Sequence, residues 1–154
     1  MKKFILIITL LSFGLIAGQL KLRNEHAIDP VYQLSLKNYK KFICEATLDS
    51  GKIVQFVSVK AMMQVFFHQD YFIDHKFIDS NIKNMYVQDF LTGEKLNAKK
   101  ALYVFGSRVI GPHGDDLIPL KSEASTKIFA IRYKGTKTLP YQKITVGLIK
   151  YLDM

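Results

Sequence analysis

The feature that most constrains this chain is a hairpin signature followed at once by a capped helix. Lys41–Leu48 and Lys52–Val57 alternate apolar and polar side chains on either side of Asp49-Ser50-Gly51. A period of two places one set of side chains on a buried face, and Asp, Ser and Gly supply the reversal between the runs. Directly afterwards Val59, Met62, Met63, Phe66 and Phe67 recur at helical spacing behind Ser58. A helix from Ser58 to His68, with Ser58 as its N-cap, is therefore expected. A hairpin that buries one face needs a cover, and the helix that follows it is the nearest one available.

The remainder extends that plan. Residues 69–81 read as loop and Met85–Phe90 as a strand. Lys100–Phe105 reads as a strand, residues 106–116 as a loop rich in Gly and Asp, and Leu117–Leu120 as a short strand. Ser122 caps a helix running to Tyr133, with Ala124, Ile128 and Ile131 on one face, and Gly135 ends it. Thr136–Leu139 is a short strand, and Thr145 caps a last helix to Leu152. No residue-level repeat accompanies this loose repetition. The expected fold class is α+β, built as two small linked ββαβ-like units with mostly antiparallel sheet, over residues 41–90 and 91–154. Residues 19–40 are expected to be a linker or entry segment, where Asp29-Pro30 favours an extended or turn conformation.

The N-terminus carries an address. Lys2-Lys3 precede 15 residues, Phe4 to Gly18, that are almost wholly apolar. That is the pattern of a secretory signal peptide, residues 1–18, and it is shorter than the roughly 20 residues a membrane span needs. Export to the periplasm is expected. Leu15-Ile16-Ala17-Gly18-Gln19 has the shape of a lipoprotein cleavage box, but Gln19 offers no thiol, so lipidation there is excluded. Ordinary cleavage near Ala17 or Gly18 should leave a chain with no stable membrane span; the alternative is an uncleaved leader that stays in the membrane. Cys44 is the single cysteine, so no internal disulfide forms, and within Phe-Ile-Cys-Glu-Ala-Thr-Leu it reads as a small buried side chain.

Several function classes find no support. The net charge of +9 is spread over scattered Lys and Arg with no nucleic-acid motif, so a solvated basic surface is expected and no nucleic-acid partner. There is no nucleophile elbow, phosphate loop or dinucleotide fingerprint, and the chain is not expected to be an enzyme. His26, His68 and His75 stand alone, with no His-x-x-x-His or Glu-x-x-His pair. Asp70, Asp74 and Asp79 lack the ligand order of a calcium loop. Met62, Met63 and His68 invite reading as a soft cluster, but neighbouring helical residues point apart and this spacing suits a core.

Residues 86–120, YVQDFLTGEKLNAKKALYVFGSRVIGPHGDDLIPL, carry a resemblance. Tyr86-Val87, Asp89, Ala98, Ala101, Tyr103-Val104, Gly106-Ser107, Gly111-Pro112, Gly114 and Leu117-Ile118-Pro119 match, in order and spacing, the central block of the NosL family of copper accessory proteins. The likeness runs into Ser122–Phe129 and upstream through Asp49-Ser50-Gly51-Lys52 and Phe56–Phe67, including Lys60 and Met62, and covers roughly residues 29–152. It implies a periplasmic protein that handles or delivers copper, as Cu(I) or Cu(II), for maturation of nitrous oxide reductase, beside an ABC-type maturation complex.

The departures concern the ligands. The family's Cys-x-x-Cys-Gly-Met falls on Asp29-Pro30-Val31-Tyr32-Gln33-Leu34 when counted back from the hairpin without gaps. Its Met-Gly-His becomes His113-Gly114-Asp115. Cu(I) favours thiolate, thioether and imidazole, which Asp, Tyr and Leu do not reproduce. The candidate metal residues are His113, with Asp115 as a second ligand or orienting group, and Met62 as a thioether whose spacing suits the core first. The alternative is a degenerate, metal-free interaction module that docks on a copper-handling partner.

Overall fold

A computed structural model describes residues 18–154; the expected signal peptide, but for its last residue, lies outside them. The fold is α+β with two antiparallel sheets. The first unit contains β1 (Cys44–Leu48), β2 (Ile53–Phe56), α1 (Val59–Phe67), α2 (Gln69–Asp74), β3 (Ile82–Gln88) and β4 (Lys95–Asn97). The second contains β5 (Leu102–Phe105), β6 (Ile118–Leu120), α3 (Glu123–Tyr133) and β7 (Lys137–Pro140), and α4 (Val146–Leu152) ends the chain. The sheets run β2-β1-β3-β4 and β6-β5-β7, so in each the first strand lies between the second and the third, and the helix carries the chain across it.

Local chemistry accounts for the main elements. Ser58 Oγ accepts the Ala61 N–H at 3.3 Å, Ser122 Oγ accepts that of Ser125 at 3.1 Å, and Thr145 Oγ1 accepts that of Leu148 at 3.2 Å, so all three anticipated caps form. Helix α1 is enclosed on most sides, with Val59, Ala61, Met62, Met63 and Val65 buried, because α4 packs on it opposite β1 and β2. One core spans both units, joining Phe56, Met62 and Val87 to Tyr103, Leu117 and Ile149. A smaller core gathers Val104, Ile118, Leu120 and Phe129. Asp89 ties the sheets together: its buried carboxylate accepts Leu91 and Thr92 N–H at 2.9 Å and Lys121 N–H at 2.8 Å.

Three features correct or extend these expectations. Residues 69–74, expected as loop, form α2, which restarts after the backbone breaks at His68 (φ −127°, ψ 37°) and is held by buried Phe72. Strand β4 was not anticipated; at three residues it is too short to display a period. On α3 the buried face is Ser125, Thr126 and Phe129, while Ile128 and Ile131 face outward, Ile131 at 79% exposure. One aromatic wedge, Phe129 against Phe90 at 5.6 Å, fills the shallow space over a three-stranded sheet. Thr126 can sit inside because its hydroxyl donates to Glu123 O at 2.8 Å.

Residues 19–40 are built into the fold. Arg23 Nε donates to Glu45 at 2.7 Å, Gln55 Nε2 donates to Lys21 O at 2.8 Å, and Leu36 is fully buried. Among the described residues no helix is long and apolar enough to cross a membrane.

Candidate functional site

Two loops and the end of α4 converge on one cluster. The first loop, Asp29–Leu34, is folded around a carboxylate. Asp29 Oδ2 accepts the N–H groups of Val31 at 3.0 Å and Tyr32 at 2.7 Å, and Oδ1 accepts that of Val57 at 3.1 Å. Its backbone closes the turn, with Asp29 N–H donating to Leu34 O at 2.9 Å and Gln33 N–H donating to Asp29 O at 3.1 Å. Gln33 sits at φ 57°, a left-handed conformation that favours glycine. Burial pushes the Asp29 carboxyl up, against the pull of its three N–H donors.

The second loop is a turn, Gly111–Gly114, closed by Gly111 N–H donating to Gly114 O at 2.8 Å. Gly114 lies at φ 80°. A Cβ on Gly111 would stand 2.9 Å from Asp116 Cβ and 3.0 Å from Gly114 O, so only glycine fits there. The turn presents His113, whose ring stacks on Tyr32 with centroids 4.1 Å apart and planes 12° from parallel. The Asp29–Leu34 loop and the Gly111–Gly114 turn therefore meet at this stack.

Beneath the stack lies Lys60, fully buried on α1. Its Nζ donates to His113 O at 2.6 Å and to Leu152 O at 2.9 Å, and stands 3.4 Å from Asp153 Oδ1 and 5.4 Å from the centre of the Tyr32 ring. Asp153 Oδ1 also accepts the Tyr32 hydroxyl at 2.7 Å and lies 3.5 Å from His113 Nδ1. Gln64, one helical turn beyond Lys60, donates to Tyr32 Oη at 2.8 Å. Burial raises the Asp153 carboxyl, but the Tyr32 hydroxyl and Lys60 outweigh it and hold the group below its ordinary value. Burial and the Asp153 carboxylate push the Tyr32 hydroxyl well above its ordinary value, so it stays a phenol.

Asp116 anchors the turn from inside. Its Oδ1 accepts Lys60 N–H at 2.9 Å and Leu117 N–H at 2.8 Å, while Oδ2 is buried with no hydrogen-bond partner among the described residues. Burial pushes this carboxyl up to about 6.

The expected metal residues separate. His113 is 53% exposed and no described residue partners its Nε2. Asp115 is exposed and, with His113 and Tyr151–Met154, lines an open cleft of about 520 Å³. Met62 is fully buried in the main core and does not line this cleft. Among the described residues no group of three or more His, Cys, Asp or Glu side chains is arranged to hold a metal ion. Asp29 is consumed by backbone N–H groups, Tyr32 by Asp153, and Cys44 is fully buried with its thiol pushed up by burial. Of the candidate ligands, the imidazole of His113 is exposed and carries a ring nitrogen that no described residue partners.

Sequence reasoning missed the support beneath that imidazole. Lys60 and Gln64 carry a faint signal, a polar pair four apart in an otherwise apolar helix. Asp153, the residue directly after α4, carries none.

The fold and parts of the sequence have known counterparts. A family model described as NosL matches residues 21–149. No protein of curated function matches the chain. A solved structure, the crystal structure of the copper chaperone NosL from Shewanella denitrificans, is similar to this one with a TM-score of 0.62 at 17% identity, over 84% of this chain and 97% of that one.

Proposed function

The chain belongs to the NosL family, and from that premise we propose that it handles copper through His113 as an exported accessory protein that serves maturation of nitrous oxide reductase. The observation that carries the reading is the convergence of the two ligand-position loops, with His113 stacked on Tyr32 and its Nδ1 turned toward Asp153. The stack on Tyr32 fixes the ring, and the Asp153 carboxylate 3.5 Å from Nδ1 places negative charge beside it without a hydrogen bond. Nε2 then remains for the ion, on a turn held from within by Lys60 and Asp116.

With thiolates absent from both loops, the site is a weak and open one that passes copper on by ligand exchange with a partner of softer donors. The family also implies the partners: the reductase and its ABC-type maturation complex, met in the periplasm after export. No bond is made or broken in such a role beyond those to the metal, and no catalytic constellation is required.

A metal-free docking module is the second reading, favoured by the full occupation of Asp29 and Tyr32. Anaerobic Cu(I) titration of the chain from Gly18 against a competing chelator separates the two. Stoichiometric binding that is lost in His113→Ala supports copper handling. No competition by the native chain sinks it and leaves the docking module.

A further inference from the structure

The basic surplus of the chain is uneven. From Ser125 to Leu152 there are six Lys and Arg and no Asp or Glu. Helix α3 leads into this segment and turns an apolar stripe outward: Ala124, Ile128 and Ile131 are all exposed, Ile128 at 48% and Ile131 at 79%. At about 100° per residue, Lys127 and Arg132 fall about 70° to either side of that stripe. Both are exposed, as is Lys134 at the end of the helix. The loop after β5 joins this end, because Arg108 N–H donates to Tyr133 O at 2.7 Å. It carries Ile110, 65% exposed, while Asp115 further along it lines the cleft with His113. Among the described residues none of Lys127, Arg132, Lys134 and Arg108 forms an ion pair. The one carboxylate of α3, Glu123, stands in its first turn. Single exposed apolar side chains are ordinary on a protein surface; a stripe of them set between unpaired cations is not.

We propose that the outward face of α3 docks on an anionic lipid bilayer, with Ile128 and Ile131 entering the headgroup layer and Lys127, Arg132, Lys134 and Arg108 lying against lipid phosphates. The cations select a negative surface, and the stripe gives the helix apolar area to bury in it. Lys and Arg stems lie along apolar surface while their charged ends stay in water, which suits cations on both flanks of a half-sunk stripe. A specific protein interface buries about 800 Å² on each partner, more than two isoleucines and an alanine on a convex helix provide. A bilayer needs no matching shape. Each Lys or Arg close to an anionic leaflet contributes about fivefold to binding, so four of them give a contact that is reversible and sensitive to salt. Copper plays no part in this contact, which stands or falls apart from His113.

The chain from Gly18 contains every described element and leaves out the apolar leader. It should co-sediment at low salt with vesicles of equal parts phosphatidylcholine and phosphatidylglycerol, and not with phosphatidylcholine alone. It should come off at about 1 M salt, where charges act over only about 3 Å. Lys127→Gln combined with Arg132→Gln should lower the binding by at least about tenfold. Lys143→Gln combined with Lys150→Gln removes the same charge from exposed positions near and on α4, and should lower it by less than about threefold. The chain has no tryptophan, so Ile131→Trp reports on its own position. Its emission should shift to the blue on the anionic vesicles. All these side chains are exposed, and unchanged thermal unfolding of each variant excludes a folding defect. Equal losses in the two charge pairs, or an unshifted emission, overturn the assignment to α3. No binding to anionic vesicles at low salt overturns the bilayer as the partner and leaves the stripe to an acidic protein.

Discussion

Replacing Lys60 by methionine keeps most of the stem volume and removes one buried charge. Two hydrogen bonds go with it, to His113 O at 2.6 Å and Leu152 O at 2.9 Å, together with the 3.4 Å contact to Asp153. Hydrogen bonds to charged groups contribute about 1.5–3 kcal/mol each, and a carbonyl left unpaired in the interior keeps its desolvation cost. His113 O lies in a partly exposed turn and regains water; Leu152 O is enclosed and does not. Asp153 is 35% exposed and rehydrates, so its contribution is discounted. The net loss is about 3 kcal/mol, which for a domain of this size lowers the melting temperature by about 10 °C. Thermal unfolding followed by circular dichroism at pH 7 reads the shift. Hydrogen exchange should rise at Gly111, whose N–H closes the turn that Lys60 holds. A drop of less than about 3 °C, or a stabilised variant, would refute the claim that this ammonium is what ties the His113 turn to the end of α4.

The other predictions concern the same turn and its surroundings. Burial lifts the Asp116 carboxyl to about 6 in the fold from an ordinary 3.8, so its ionisation opposes folding. The penalty is absent below pH 3.8, grows as pH rises toward 6 and is full above it, at about 3 kcal/mol. Asp116→Asn should remove that slope, so the stability difference between variant and native chain moves in the variant's favour from pH 4 to 7; parallel urea-unfolding profiles contradict this. Gly111→Ala drives a Cβ to 2.9 Å from Asp116 Cβ, and denaturant unfolding should show a loss of about 1–3 kcal/mol. Ile131→Lys, on the outward face of α3, should change stability by less than about 0.5 kcal/mol in the same assay, and a loss above about 2 kcal/mol would contradict that placement.

Much of the architecture was legible because it rests on local signals. The hairpin at residues 41–57 and the caps Ser58, Ser122 and Thr145 announce themselves through alternation and through side chains that satisfy free N–H groups. The buried face of α3 was not legible, because Ala124, Ile128 and Ile131 share one face by spacing while the core there is too small to take them. There Phe129 alone fills the space, and Ser125 and Thr126 sit beside it with their hydroxyls engaged. Asp29 and Tyr32 stood out as substituted ligand positions, but their new partners lie far along the chain: Val57 for one, Asp153 for the other. Asp115 drew the eye because it replaces a ligand, whereas the structural carboxylate is its neighbour Asp116. The thioether on α1 was legible as both core and ligand, and only burial decides for Met62.

The most direct test of the central claim is nitrogen NMR of the histidine rings during anaerobic addition of Cu(I). The chain has four histidines, His26, His68, His75 and His113. The account predicts that the Nε2 resonance of His113 moves with one equivalent of copper while the other three rings stay where they were. A spectrum in which no ring responds, or in which His68 responds instead, contradicts it.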